Sequence, residues 1–470
     1  MSKDDKKRYL ILKDSNIYKG LLIMALPLML NNFLKTFHDF IDMFFVGRIP
    51  GRGTEAIEAI QLTFPVVFTF LALGIGLMVA GTALISQFIG SNQLEDARKY
   101  ASQLLVLSFI LGVVLNIVSY FGAPFFFDMM GVEPGYTYDG AVSYLQWRAF
   151  ELPVLFMFFS YMATRQASGD TISPVIISGT AIVLNTILSP ILITTFGFGV
   201  AGAAMATLFA NVVVMPVAIY SLFFAKSGVT VTFKYMRLEA GVVKDIVRTA
   251  VPASLGQAIT AIGFGVMNAV IYDYGDSTLA AFGVGNRIVS MLLHPVMAIG
   301  GVVSAYIGQN IGAQNTARAK LTFRKSMILS TVMMAVGAFA FLFIRRPLAG
   351  LFIVDNPVAL QLASDYMFFI LIGLPLMGVF QTFMGTYNGT GNTHFSFILS
   401  VTRLWLIRVP LVIFMRDFTD LGASGIWYAM LVSNFLIAII GFFLYLKIDF
   451  KPKIRVGPKV KKPLPKPSIG

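Results

Sequence analysis

LPVLFMFFSYMATRQASGDT, residues 152–171, returns as LPLMGVFQTFMGTYNGTGNT, residues 374–393. Leu152, Pro153, Met162, Thr164, Gly169 and Thr171 recur as Leu374, Pro375, Met384, Thr386, Gly391 and Thr393, each pair 222 positions apart (Gly169 to Gly391). At the same spacing Gln87-Phe88-Ile89-Gly90 returns as Gln309-Asn310-Ile311-Gly312. Gly199, Gly202 and Asn211 return one residue out of step as Gly422, Gly425 and Asn434. A long hydrophobic unit written twice implies two bundles with something held between them, the architecture of a secondary transporter.

Working outward, the 470 residues are 57% hydrophobic and 13% charged, with mean hydropathy +0.77. A soluble chain would carry about a quarter charged residues. Apolar runs long enough to cross about 30 Å of hydrocarbon recur along nearly the whole length. The fold class predicted is therefore an all-α polytopic membrane protein, with 12 transmembrane helices in two pseudo-symmetric six-helix bundles. The net charge of +13 would suggest nucleic acid in a soluble chain. Here the Lys and Arg residues fall mostly on one side of the membrane, so the charge reports topology and attraction to anionic lipid. No cysteine is present, which excludes disulfides and Cys-based metal centres. The polar, basic start from Met1 to Lys19 has no signal-peptide pattern.

The spans are expected at about 17–46, 56–85, 97–123, 140–164, 172–195, 199–225, 241–272, 277–307, 320–345, 358–386, 394–415 and 422–447. This divides the chain into an N-terminal bundle (1–225), a linker (226–240), a C-terminal bundle (241–450) and a basic, Pro-rich disordered tail (451–470). Cytoplasmic termini place Lys7, Arg8, Arg98, Lys99, Arg318, Lys320, Arg324 and Lys325 inside and the acidic loop with Asp128, Glu133 and Asp139 outside. With six spans per half, both copies insert in one orientation around a central cleft. Localisation in the cytoplasmic membrane, multi-pass, and a monomeric state are expected. Among the many intramembrane prolines, Pro27 and Pro252 open the first span of each half in the matching contexts Ala25-Leu26-Pro27 and Ala250-Val251-Pro252. They are candidate hinges, weighed against static bends.

A charge within a span costs about 2.5–3.5 kcal/mol on insertion scales and needs a reason. The first span carries Asn31, Asn32, Lys35, His38, Asp39 and Asp42. Lys35–Asp39 and His38–Asp42 are each four apart and share one side of a helix. That side either forms a packing ion-pair ladder or holds a carboxylate that takes up and releases a cation. The matching span of the second half offers only Gln257 and Asn268 in its middle. Asn185, Ser189 and Thr207, ordinary helix-interface residues alone, gain meaning only together with Asp42. Arg148 and Glu151 read as an internal ion pair. Arg287 and His294, and Arg403 and Arg408, either contact anionic ligand groups or lipid phosphate, or snorkel to an interface. Asn31, Gln257, Arg287 and Asn268 are the candidate lining of a substrate cavity.

Gly197-Phe198-Gly199-Val200-Ala201-Gly202 matches G-x-G-x-x-G, but no strand precedes it and it opens a membrane helix, so close helix packing explains it better than a dinucleotide. No Walker loop, HExxH or GxSxG motif occurs, and nothing points to an enzyme or an organic cofactor. A membrane transferase would need a carboxylate cluster at a loop mouth, which the short loops lack.

From about 15 to 448 the chain resembles the MATE (multidrug and toxic compound extrusion) family of the MOP flippase superfamily. Ala25-Leu26-Pro27 with Asp42 and Val46-Gly47-Arg48 is similar to its first-span signature; the paired Gln87–Gly90 and Gly308–Gly312 stretches resemble its cytoplasmic loops. Asn185 to Pro190 and Gly199 to Thr207 resemble its fifth and sixth spans. The resemblance implies secondary active antiport, exporting small organic, often cationic compounds in exchange for H⁺ or Na⁺ by alternating access. It also implies that Asp42, Asn185 and Thr207 line the cation site, with Na⁺ as a possible metal there. The lack of acids in the middle of the seventh and tenth spans, whose Asp245 and Asp365 lie nearer their starts, is similar to the DinF-like branch. Ser189 stands where the family often has aspartate; Lys35 and His38-Asp39 replace a neutral Gln and Tyr-Asn. The alternative is a flippase or exporter of a lipid-linked or amphipathic metabolite. For H⁺ coupling Asp42 must be protonated near neutral pH, which burial promotes and a nearby Lys35 opposes. His38 is a second candidate proton carrier.

Overall fold

The computed structural model describes residues 3–353 and 356–455; the side chains of residues 3–6, Phe37, Asp39, Phe40 and Asp276 lie outside that description, as do residues 456–470 of the predicted tail. Among the described residues there are helices and no strand. A short α1 (Lys3–Leu12) precedes the N-terminal half, which runs α2 (Ile17–Val46), α3 (Gly53–Gly90), α4 (Leu94–Met129), α5 (Tyr136–Ala167), α6 (Ile172–Pro190) and α7 (Gly199–Phe224). The C-terminal half runs α8 (Ala240–Tyr272), α9 (Asp276–Gly312), α10 (Thr316–Gly350), α11 (Pro357–Gly389), α12 (Thr393–Val401), α13 (Val409–Phe418) and α14 (Ala423–Leu446). Two π-segments interrupt this pattern. Ile191–Thr195 prolongs α6, and Thr402–Arg408 joins α12 to α13 into one span. Eleven described helical spans are long and apolar enough to cross a membrane. The twelfth long helix, α5, has 32 residues but carries Arg148, Glu151 and Arg165.

The repeated glycines mark shared turns. Gly169 and Gly391 close α5 and α11 with φ +75° and +73°, the left-handed region that glycine enters at least cost. The G-x-G-x-x-G stretch is likewise a turn and a packing contact: a Cβ on Gly202 would come within 2.7 Å of the Leu192 carbonyl oxygen.

Each half lends its first helix to the other. Leu21, Met24, Ala25 and Leu28 of α2 are buried in one core with residues of α9 and α11. Val242, Ile246 and Ala250 of α8 are buried in the core of the N-terminal half. A Cβ on Gly76 of α3 would sit 2.7 Å from the Ala250 carbonyl oxygen, so backbone meets backbone there. Past Pro27, α2 touches both halves: Asn31 meets Ser178 of α6, while Asn32 Nδ2 donates to the His294 carbonyl of α9 (3.1 Å) and Thr36 Oγ1 lies 2.8 Å from His294 Nδ1. Past Pro252, α8 returns to its own half, with Gly263 against Leu404. Pro27 thus stands where α2 adds α6 of its own half to its contacts and Pro252 where α8 returns to its own half, and the packing of both helices crosses the predicted 226–240 boundary.

The duplicated Gln-x-Ile-Gly stretches meet at the face that bears both described chain ends. A Cβ on Gly90 would lie 2.0 Å from the Gln309 carbonyl oxygen, and one on Gly312 would lie 1.9 Å from that of Gln87. Gln87 Nε2 donates to the Gly389 carbonyl (3.2 Å) and Gln309 Nε2 to the Ala167 carbonyl (2.7 Å). Both pairs are related by the 222-residue repeat, so the seam is two-fold symmetric in chemistry as well as in shape.

The chain ends strap this seam. Arg8 of α1 donates to Asn92 Oδ1 (2.6 Å) and Lys7 lies 3.4 Å from Asp170, while Arg318 of α10 reaches back to the carbonyls of Ile11 (2.9 Å) and Asp14 (2.7 Å). At the other end Lys453 N donates to Gln87 Oε1 (2.9 Å) and Gln93 Nε2 to the Arg455 carbonyl (3.2 Å). Sequence reading left the first 16 residues as a polar lead; their helix escapes notice because little more than Tyr9 to Leu12 forms its apolar face. The link between the halves also folds back: Arg165 Nη1 donates to the Ser227 carbonyl (2.8 Å), and Glu239 N to Gln103 Oε1 (2.9 Å).

Candidate functional site

Two contacts lock α2 to α6 in register. Ser178 Oγ donates to Asn31 Oδ1, and Ser189 Oγ lies 2.8 Å from Asp42 Oδ1. Each pair is separated by 147 positions, so both helices advance by the same eleven residues, about three turns. The helices therefore run parallel, and polar residues repeat at the spacing that keeps them facing each other.

From Asp42 a line of polar side chains crosses α6 to α7. Thr207 Oγ1 donates to the Ala203 carbonyl (3.1 Å), which uses its one hydrogen. With its hydrogen so used, it accepts from Asn185 Nδ2 (3.0 Å), and the amide orientation is assigned from that network. Asn185 Oδ1 then faces Ser189 Oγ at 3.0 Å. Ser189 has one hydrogen and two acceptors, Asn185 Oδ1 on one side and Asp42 Oδ1 on the other. Asn185 and Ser189 are 2% and 0% exposed, whereas Asp42 keeps 20% of its side chain accessible. His38 Nε2 lies 3.5 Å from Asp42 Oδ2, one turn back along α2. The predicted Asp42, His38, Asn185, Ser189 and Thr207 are thus brought together; the Asp39 side chain lies outside the described residues. Lys35 is exposed toward the central cavity. Neighbouring oxygens stand at O–H···O spacing, and among the described residues no three His, Asp or Glu side chains cluster as a metal site.

A second buried acid was read only as half of an ion pair. Glu151, 2% exposed, pairs with Arg148 and also accepts from Asn211 Nδ2 at 2.8 Å. The available signal was the recurrence of Asn211 as Asn434, a polar residue kept in both copies of an apolar helix.

Between the halves lies a cavity of about 380 Å³. Asn31 and Gln257 line it; Arg287 and Asn268 are exposed elsewhere and do not. Sequence reading missed Gln166 and Asn388, which line it along with Met162 and Met384. Both pairs are 222 residues apart, so the repeat that defined the fold also marked the cavity wall. The Gln87–Gly90 and Gln309–Gly312 seam closes this space toward the strapped face.

Comparison with known proteins follows the same outline. The family model described as MatE matches residues 27–191 and 252–414, once in each half. A probable multidrug resistance protein of Bacillus subtilis, YoeA, is 24% identical over 441 residues, covering 92% of this chain and 94% of its own. A protein of Shewanella oneidensis described as an FAD transporter is 28% identical over 439 residues, covering 92% and 95%. A solved structure described as the outward-facing conformation of a multidrug resistance MATE family transporter of the MOP superfamily superposes with TM-score 0.89 at 24% identity. It covers 95% of this chain and 98% of that one, and bears on the fold.

Proposed function

The chain belongs to the MatE family, and from that premise we propose that it is a multidrug efflux antiporter that exchanges small organic compounds for protons carried at Asp42. The protein is a transporter, not an enzyme, and it acts in the membrane its helices span. The proposed setting is the cytoplasmic membrane, with both termini and the strapped seam inside and a single chain as the working unit. Positive residues gather on that face, as insertion rules favour.

Hydrogen counting at Ser189 carries the proton assignment. With Asp42 ionised, the line Asp42–Ser189–Asn185–Thr207 has one hydrogen too few. A proton on Asp42 completes it: the carboxyl O–H donates to Ser189 Oγ, and Ser189 donates to Asn185 Oδ1. A sodium ion would have to enter between oxygens already at hydrogen-bond distance, with Thr207 Oγ1 taken up by an amide nitrogen. The spacing favours H⁺ over Na⁺.

The same proton sets how Ser189 is shared between α2 and α6. Loaded, Asp42 donates to Ser189 and Ser189 donates on to Asn185; unloaded, the single Ser189 hydrogen goes to the Asp42 carboxylate and the Asn185 contact within α6 loses it. Since α2 also walls the cavity through Asn31, Asn32 and Lys35, its position couples proton occupancy to the substrate space. Pro27 and Pro252 are the proposed hinges, because each opens the stretch of its helix that gains contacts with its own half. His38, beside Asp42, delivers or collects the proton.

The test is dye efflux from vesicles holding the purified protein, with pH and Na⁺ gradients imposed separately. Efflux driven by the pH gradient alone, lost in Asp42→Asn, is the expected result. Efflux that runs on Na⁺ alone overturns the proton assignment, and undiminished transport by Asp42→Asn overturns the site.

A further inference from the structure

Among the described residues, the C-terminal half buries two positive charges with no carboxylate bonded to them. Arg403 and Arg408, 7% and 5% exposed, stand on the π-segment Thr402–Arg408. On an ordinary helix, residues five apart diverge by about 140°. A π-turn closes from i to i+5 and brings them over one another. Arg408 donates from Nε to Ser433 Oγ (2.9 Å) and from Nη2 to Asn434 Oδ1 (2.7 Å). Arg403 points Nη1 at Met377 Sδ (3.1 Å) and lies 4.3 Å over the Phe380 ring. These partners are all neutral, and a guanidinium stays charged at any physiological pH. Two buried donors, Arg403 Nε and Asn434 Nδ2, meet no acceptor.

The other half supplies the missing comparison. Asn211, the repeat partner of Asn434, gives its Nδ2 hydrogen to the Glu151 carboxylate. Glu151 itself aligns, 222 residues on, with Gly373. A Cβ built on Gly373 would lie 3.4 Å from Asn434 Nδ2. Where one copy carries a carboxylate of its own, the other thus carries no side chain; the unpartnered Asn434 amide faces the position, Arg408 bonds the other end of that amide, and Arg403 lies against Met377, one turn on from Gly373.

We propose that this site binds a small inorganic monoanion of about the size of chloride, held by Arg403, Arg408 and Asn434. The anion takes the place that the Glu151 carboxylate has in the N-terminal half. The enclosure of both arginines leaves access to an ion and not to a lipid headgroup or an organic acid. Buried charge requires compensation, so the anion is an integral part of the folded C-terminal half.

The test reads anion binding alone and is independent of efflux. Purified protein is melted at constant ionic strength while chloride replaces gluconate, which is too large to enter. A saturable rise in Tm of a few degrees is expected, since a ligand that binds only the folded state stabilises it. The rise should vanish in Arg403→Gln and Arg408→Gln. Gly373→Glu, which ties a carboxylate in place, should melt independently of chloride. Equal Tm in both salts, or an undiminished chloride shift in both arginine variants, overturns the proposal. Should the variants fail to fold, crystals of the parent grown in bromide decide. An anomalous peak against Arg403 or Arg408 supports the site, and its absence there refutes it.

Discussion

Asn211 and Asn434 hold the same place in the two halves, yet one donates to a carboxylate and the other accepts from a guanidinium. Around Asn211 the buried charge is a carboxylate, Glu151, already paired with Arg148, and across α6 Asp42 stands beside His38. Around Asn434 it is two guanidiniums, Arg403 and Arg408, with neutral partners. At the seam the halves are chemically equivalent instead, Gln87 and Gln309 each reaching the end of the other half's long helix. Duplication gave two equal frames. The seam stayed symmetric, and the buried charge around the repeated asparagine did not.

The sharpest way to break this comparison is at the N-terminal acid. Asp42→Asn should reduce proton-driven efflux to the level of empty vesicles while leaving the fold intact, because no acid at the matching place in α8 can substitute. Residual gradient-driven transport would mean that the halves share the ion chemistry after all.

The seam should respond in the opposite, symmetric manner. Gly90→Leu and Gly312→Leu each push a side chain into a facing carbonyl and should cost the closed form about 1–3 kcal/mol or more. With no native cysteine in the chain, Asn388→Cys can report cavity access from the strapped face. Both leucine variants should raise its labelling equally; a response from only one of them would break the symmetry.

A smaller effect is expected at Ser189. Ser189→Ala removes the hydroxyl between Asp42 and Asn185 and should lower proton-driven efflux by about tenfold, the worth of a hydrogen bond to an ionisable group. Ser189→Thr, which keeps the hydroxyl, should retain more activity than Ser189→Ala. Equal activity in these variants would remove Ser189 from the proton line.

The weakest prediction concerns the α1 strap. Burial alone would raise the Asp170 carboxyl pKa, but Lys7, the Ser173 hydrogen bonds and Arg165 outweigh it and hold the group below its usual range. A depressed carboxylate contributes stability above its unfolded value, about 3.9, and that contribution fades as pH falls through the folded value. Asp170→Asn should therefore flatten the acid side of the melting profile and cost under about 1 kcal/mol at neutral pH. An unchanged acid limb would show that the strap carries no titrating contact.

Much of the fold and part of the site could be read before any coordinates. Apolar length and a 222-residue echo place twelve helices without ambiguity, because hydrocarbon allows few other solutions. The Asp42 site was legible because charge in a span is costly and therefore conspicuous. Gln257 and Asn31, on the first helix of each half, line the central cavity, and Arg287 and Asn268 are not part of that lining; polarity alone does not say which side of a helix faces a cavity. Two features left no linear trace. A π-turn needs no special residue, so nothing foretold that Arg403 and Arg408 would lie over one another. The swap of α2 and α8 is a property of packing: the same apolar surface suits either half.

The strapped seam also fixes an order of events during synthesis. Gln87 Oε1 receives its hydrogen bond from Lys453, 366 residues later in the chain, and Gln93 contacts Arg455. The N-terminal half emerges from the ribosome first, but its share of the seam lacks these partners until residues 453 and 455 have been made. A product stalled or nicked short of residue 453 would leave Gln87 and Gln93 without them.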